Sequence, residues 1–113
     1  MKKLIPDCYW PGANHGSYVS HESICVLNTG ERPAKMTLTL YFEDREPLAG
    51  FAVTVPARRT RHIRMDALVS PRGDRVPRDT PYAVLLESDE DVSVQYTRVD
   101  TTQSELALMT TIV

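Results

Sequence analysis

Across 113 residues there are two cysteines, one tryptophan and five glycines, and none of them falls in a pattern that common enzyme chemistry uses. Cys8 and Cys25 form no C-x-x-C pair, so they read as small buried hydrophobes rather than a redox dithiol or a zinc ribbon. His15, His21 and His62 add the right atoms for a metal, but their spacings match no zinc pattern, and no metal or other cofactor is expected. A Gly-rich phosphate loop, a nucleophile elbow and a His-Glu-x-x-His motif are all missing, so catalysis would need groups gathered from distant strands. Ser20, His21 and Glu22 are no triad by adjacency, because neighbours on a strand face opposite ways. A binding role without catalysis is the expectation.

Charge of one sign is also lacking. A formal net charge of −2 argues against a domain built chiefly to hold nucleic acid. No apolar run approaches the roughly 20 residues that a membrane-spanning helix needs. The opening Met-Lys-Lys-Leu-Ile starts like a signal peptide, but Pro6 and Asp7 end it well short of an h-region of about 7 to 15 residues. A cytoplasmic protein is expected, with one domain over residues 1–113 and enough chain to bury about two-thirds of its unfolded surface.

What the sequence does have is period-two hydrophobicity. Met36, Leu38, Leu40 and Phe42 alternate with Lys35, Thr37, Thr39 and Tyr41, as a strand with one wet face does. Ile24 to Leu27 form a short continuous apolar run closed by Asn28-Thr29-Gly30, which reads as a strand buried on both faces. Tyr82 to Glu87 and Val92 to Val99 supply two more strands across an acidic turn, with Val92, Val94 and Tyr96 inward. Residues 105–113 are ambiguous, with helix formers first and β-branched residues after, and strand is preferred because it covers an edge. Residues 1–19, broken by Pro6, Pro11, Gly12 and Gly16, read as irregular, and residues 66–81 as a long loop. These elements predict an all-β antiparallel sandwich, jelly-roll-like, of about eight strands.

The densest charge lies between residues 58 and 64. Phe51, Val53 and Val55 form a strand that Pro56 ends, and a second strand carries Arg58, Thr60, His62 and Arg64 on one side and Arg59, Arg61, Ile63 and Met65 on the other. Ile63 and Met65 mark the inward side, so Arg59 and Arg61 must reach solvent, a partner or a carboxylate. Dividing the arginines between two faces suits a phosphate-tracking DNA surface poorly. Pairing with the acidic turns or with neighbouring subunits is the competing expectation.

A small polar ligand is the binding chemistry these residues suit best. Trp10, Tyr82 and Tyr96 supply aromatic surface, and His21, Glu22, Asn28, His62, Arg64 and Arg98 supply polar contacts from within strands, where unpaired hydrogen-bonding groups are costly. Trp10 otherwise reads as a lid over one end of the core.

Three blocks carry a further resemblance: Ser-His-Glu-Ser-Ile-Cys-Val-Leu-Asn-Thr-Gly (20–30), Thr-Val-Pro-Ala-Arg-Arg-Thr-Arg-His-Ile-Arg (54–64), and Val-Gln-Tyr-Thr-Arg-Val-Asp (94–100) followed by Gln103, Glu105 and Ala107. In this order and spacing the chain resembles the sensory rhodopsin transducer family. The resemblance implies a cytoplasmic β-sandwich that assembles as a homotetramer, serves signal transduction, and is similar to carbohydrate-binding modules. It also implies a membrane photoreceptor as partner in the founding type, and DNA binding as a suggested activity. By position it points to Trp10, His21, Glu22, Arg59, Thr60, His62, Tyr96 and Arg98 as carriers of family-wide roles. The loop at 66–78 is more basic than the resemblance leads one to expect.

Overall fold

Alternation becomes structure here because the central strands bury every second side chain between two sheets. In the computed structural model, which describes residues 1–113, the strands are β1 (Lys2–Cys8), β2 (His21–Asn28), β3 (Ala34–Phe42), β4 (Leu48–Val55), β5 (Arg59–Arg64), β6 (Tyr82–Ser88), β7 (Ser93–Asp100) and β8 (Ala107–Ile112). They make two antiparallel sheets, β1-β6-β3-β4 and β5-β2-β7-β8. The expected all-β sandwich is therefore observed. β3 pairs with β6 at the centre of one sheet and β2 with β7 at the centre of the other. No helix is long and apolar enough to cross a membrane.

Leu38, Leu40, Phe51 and Val55 from one sheet meet Ile24, Val26, Val94 and Tyr96 from the other, all of them buried. Each such side chain contributes about 1.5–3 kcal/mol of transfer free energy. The core ends at β8, where every residue of the strand is exposed. That strand is held mainly by its ladder to β7.

Three expectations need correction. Residues 1–19 are not wholly irregular: Lys2–Cys8 form an edge strand on β6, and Pro6 is accommodated where the ladder shifts register between Ile5 and Cys8. The run Ile24–Leu27 is not buried on both faces, because only Ile24 and Val26 point inward while Cys25 is half-buried and Leu27 exposed. Arg58 lies outside β5, at the tip of the β4–β5 connection with φ of 57°. Residues 66–81 do form the expected long loop, with a single 3-10 turn at Met65–Ala67 and an isolated bridge between Val69 and Arg75.

Candidate functional site

The inward side of β2 carries one charged residue, Glu22, in register with Ile24 and Val26 and 1% exposed. Burial of a carboxylate is tolerated only when its oxygens are hydrogen-bonded. Three donors meet that need. Tyr82 Oη on β6 donates to Oε1 at 2.6 Å, while Tyr96 Oη on β7 and the Tyr9 backbone N–H, the latter at 2.9 Å, donate to Oε2. Glu22 thus ties the two sheets to each other and both to the segment that follows β1.

Arg98 extends the network to the surface. Its Nε donates to Tyr96 Oη at 3.3 Å, and its Nη2 donates to both the backbone carbonyl and Oδ1 of Asp7 at 3.1 Å. The result is a continuous chain from Asp7 through Arg98, Tyr96 and Glu22 to Tyr82. Desolvation pushes the Glu22 carboxyl above the usual carboxylate range, against the opposing pull of the two tyrosine hydroxyls, the Tyr9 N–H and Arg98. Burial and then the neighbouring Glu22 charge push the Tyr82 and Tyr96 hydroxyls and the Cys8 thiol up, so these groups stay protonated. Arg98 stays charged despite its partial desolvation, because the Tyr96 hydroxyl and Asp7 favour the cation.

Beside Glu22 the chain closes a latch. Asp79 donates its N–H to the Trp10 carbonyl at 2.8 Å and accepts at Oδ1 from the Gly12 N–H at 2.7 Å and the Tyr9 hydroxyl at 3.4 Å. The Arg78 guanidinium lies 4.6 Å from the centre of the Trp10 ring, a cation–π distance. Asp79 adopts φ of 52°, a left-handed conformation uncommon for a residue other than glycine. Gly12 permits the approach, since a Cβ there would sit 2.2 Å from Asp79 Oδ2.

A cleft of about 430 Å³ opens next to this network, lined by Asp7, Tyr41, Phe42, Glu43 and Tyr82 among others. The Phe42 and Tyr82 rings are 6.4 Å apart and tilted by 39°, and Arg45 covers Phe42 at 5.2 Å. Three aromatic rings and two carboxylates therefore border one concavity. The cleft touches the network at both of its ends, through Tyr82 and Asp7.

Among the residues picked from sequence, Glu22, Tyr82, Tyr96 and Arg98 converge here, with Trp10 held in the adjoining latch and packed on the core. Asn28 lies at the far end of β2, where its buried amide donates to the carbonyls of Arg32, Val55 and Pro56 and accepts from the Gly30 N–H. His21 faces outward with Nδ1 2.8 Å from the Val19 carbonyl. Thr60 and His62 lie with Cys25, Leu27, Ser93 and Gln95 in a separate trough of about 310 Å³ on the outer face of the β5-β2-β7-β8 sheet. Arg64 pairs with Asp66 at 2.8 Å, and Arg59 is exposed on β5. The sequence reading missed Asp7, Tyr41, Phe42, Glu43, Arg78 and Asp79. Tyr41, an aromatic on the wet side of β3, was the available signal.

Comparison with known proteins adds relatives to this geometry. The sequence model of the family described as "Anabaena sensory rhodopsin transducer" matches residues 2–113. A crystal structure of Thermotoga maritima 1070 is similar, with a TM-score of 0.86 and 37% identity over 98% of this chain and 90% of that one. The structure of the Anabaena sensory rhodopsin transducer is similar at a TM-score of 0.77 and 36% identity, covering 91% of this chain and 90% of that one. No curated protein matches.

Proposed function

This chain belongs to the Anabaena sensory rhodopsin transducer family, with the signal-transducer role that membership carries, and we propose that it transduces by binding a small, neutral, polyhydroxylated ligand in the cleft at Tyr82. The observation that carries this reading is the lining itself. Tyr41, Phe42 and Tyr82 offer apolar faces, while Asp7 and Glu43 accept hydroxyl protons. Two carboxylates in the lining disfavour anionic ligands such as sugar acids and nucleotides.

Occupancy reaches the rest of the protein through contacts that already exist. A ligand touching Tyr82 or Asp7 acts on groups bonded to Glu22 and Arg98, and Glu22 holds the Tyr9 N–H beside the Trp10–Asp79 latch. The role is binding rather than turnover, because the Glu22 oxygens are engaged by three protein donors and the Cys8 thiol is held protonated. The proposal includes a cytoplasmic location, supported by two free thiols, and a homotetramer, supported by the full exposure of β8 with Leu108 at 61% and Ile112 at 77%. Coupling to a membrane photoreceptor is the second reading, favoured by likeness to the Anabaena transducer over most of both chains.

A thermal-shift panel of neutral monosaccharides, sugar acids and nucleotides tests the binding role. At a hundred times its dissociation constant a ligand adds about 2.7 kcal/mol of stability. A neutral sugar is expected to raise Tm, and Tyr41→Ala and Glu43→Gln are expected to reduce the rise without unfolding the protein, since both side chains are exposed. Shifts by anionic compounds alone, or shifts untouched by either variant, would overturn the assignment.

A further inference from the structure

The arginines of the β4–β5 edge have not been given a role by the cleft. β5 is the last strand of its sheet, so one side of its backbone has no neighbour, and β4 ends the other sheet on the same flank. Arg59 through His62 are all exposed. Ion pairs in the molecule join Arg32 to Glu90, Arg45 to Asp44, Arg64 to Asp66 and Arg98 to Asp7, so on this flank Arg58, Arg59 and Arg61 have no carboxylate. Each is nevertheless held in place by backbone. Arg58 sits at φ of 57° with its N–H on the Gly30 carbonyl at 3.1 Å, Arg59 Nη1 donates to the Arg58 carbonyl at 2.9 Å, and Arg61 Nη1 donates across the edge to the Thr54 carbonyl at 2.9 Å.

Two positioned guanidiniums, with the exposed Arg58 side chain beside them, form a local positive strip along an open strand edge in a protein of net charge −2. Arg59 and Arg61 are two residues apart and so share one side of β5, at the spacing with which an extended chain presents alternate side chains. Edge charges also deter unwanted pairing, but a strip of one sign deters only partners that lack the opposite charge. We propose that the β5 edge docks an extended acidic segment of a partner protein by strand addition, with alternate carboxylates of that segment paired to Arg59 and Arg61 and a terminal one to Arg58. Backbone hydrogen bonds to the free edge provide attachment, and the guanidinium–carboxylate pairs provide register and selectivity.

This surface is separate from the cleft, so its test leaves ligand binding untouched. A fluorescein-labelled peptide of alternating Glu and Val is titrated into the wild-type protein by anisotropy, beside the matching Lys–Val peptide and a labelled 12-base-pair DNA duplex. The Glu–Val peptide is expected to bind, the Lys–Val peptide not to, and Arg59→Gln with Arg61→Gln to weaken binding about tenfold, as loss of a pair of interfacial charges does. Hydrogen exchange is expected to show new protection at the Arg59–Arg64 amides, which attraction between charges alone would not produce. Tighter binding of the duplex than of the acidic peptide would assign the strip to nucleic acid and overturn the proposal. So would peptide binding without protection of β5, or no peptide binding at all.

Discussion

Replacing Tyr82 by Phe removes one hydroxyl and leaves the ring, its volume and its packing against Phe42 in place. That hydroxyl donates to Glu22 Oε1 at 2.6 Å inside the sandwich. A hydrogen bond to a charged group contributes about 1.5–3 kcal/mol, so Tyr82→Phe is expected to lose that much where Glu22 is ionised. For a chain of 113 residues this corresponds to roughly 4 °C in Tm per kcal/mol. The loss must also depend on pH. Tyr82 lowers the Glu22 pKa, so its removal raises further a carboxyl that burial already raises, and each unit of additional shift is worth about 1.4 kcal/mol between the two protonation states. Urea unfolding followed by Trp10 fluorescence at pH 5 and pH 8.5 is the assay. The deficit of the variant is expected to be larger at pH 8.5. A deficit below about 0.5 kcal/mol, the level of ordinary surface substitutions, or one equal at both pH values, would refute the view that Glu22 is a buried anion held by its tyrosines.

The remaining expectations draw on other parts of the molecule. In the wild type, a Glu22 pKa above its unfolded value means the folded state binds the proton more tightly, so this group's contribution to stability falls as pH rises from the ordinary glutamate range through the raised one; pH-dependent urea midpoints of wild type and Glu22→Gln should show that slope in the wild type only. Asn28→Ala strips the partners from the buried ends of β2 and β4 and should cost about 2–3 kcal/mol in urea unfolding, since buried groups left unsatisfied cost about 1–3 kcal/mol each. Gly12→Ala displaces the Asp79 carboxylate from the Gly12 N–H and should change Trp10 fluorescence and loosen exchange at residues 9–12, while the core strands keep their protection. Leu108→Glu places charge on the exposed strand β8 and should shift the sedimentation coefficient from that of the proposed tetramer toward smaller species.

Much of the fold was legible because it rests on period two. β3 and β6 each present an unbroken inward row, and such a row has one way to be buried. β1 escaped notice because Pro6 and the paired lysines break its pattern, and it survives only as an edge strand with a register shift. At the site, Tyr96 was visible in an inward register and Glu22 as a polar group within a strand. Arg98 was visible too, as a charge two positions from Tyr96. The cleft was not, since Tyr41, Phe42 and Glu43 come from the end of β3 and Asp7 from β1, elements that only the pairing of both with β6 brings together. The latch stayed hidden for a related reason: it depends on the left-handed Asp79, and no hydrophobic pattern specifies that conformation.

The most direct test of the central claim is a titration of the ¹⁵N-labelled protein with the neutral sugar that gives the largest thermal shift, followed by amide chemical shifts. Perturbations are expected at Tyr41, Phe42, Glu43 and Tyr82, and through Glu22 at Tyr9, Trp10 and Asp79. Perturbations gathered instead around Thr60, His62 and Gln95, or absent from the latch at saturation, would contradict a ligand in the cleft that acts through Glu22.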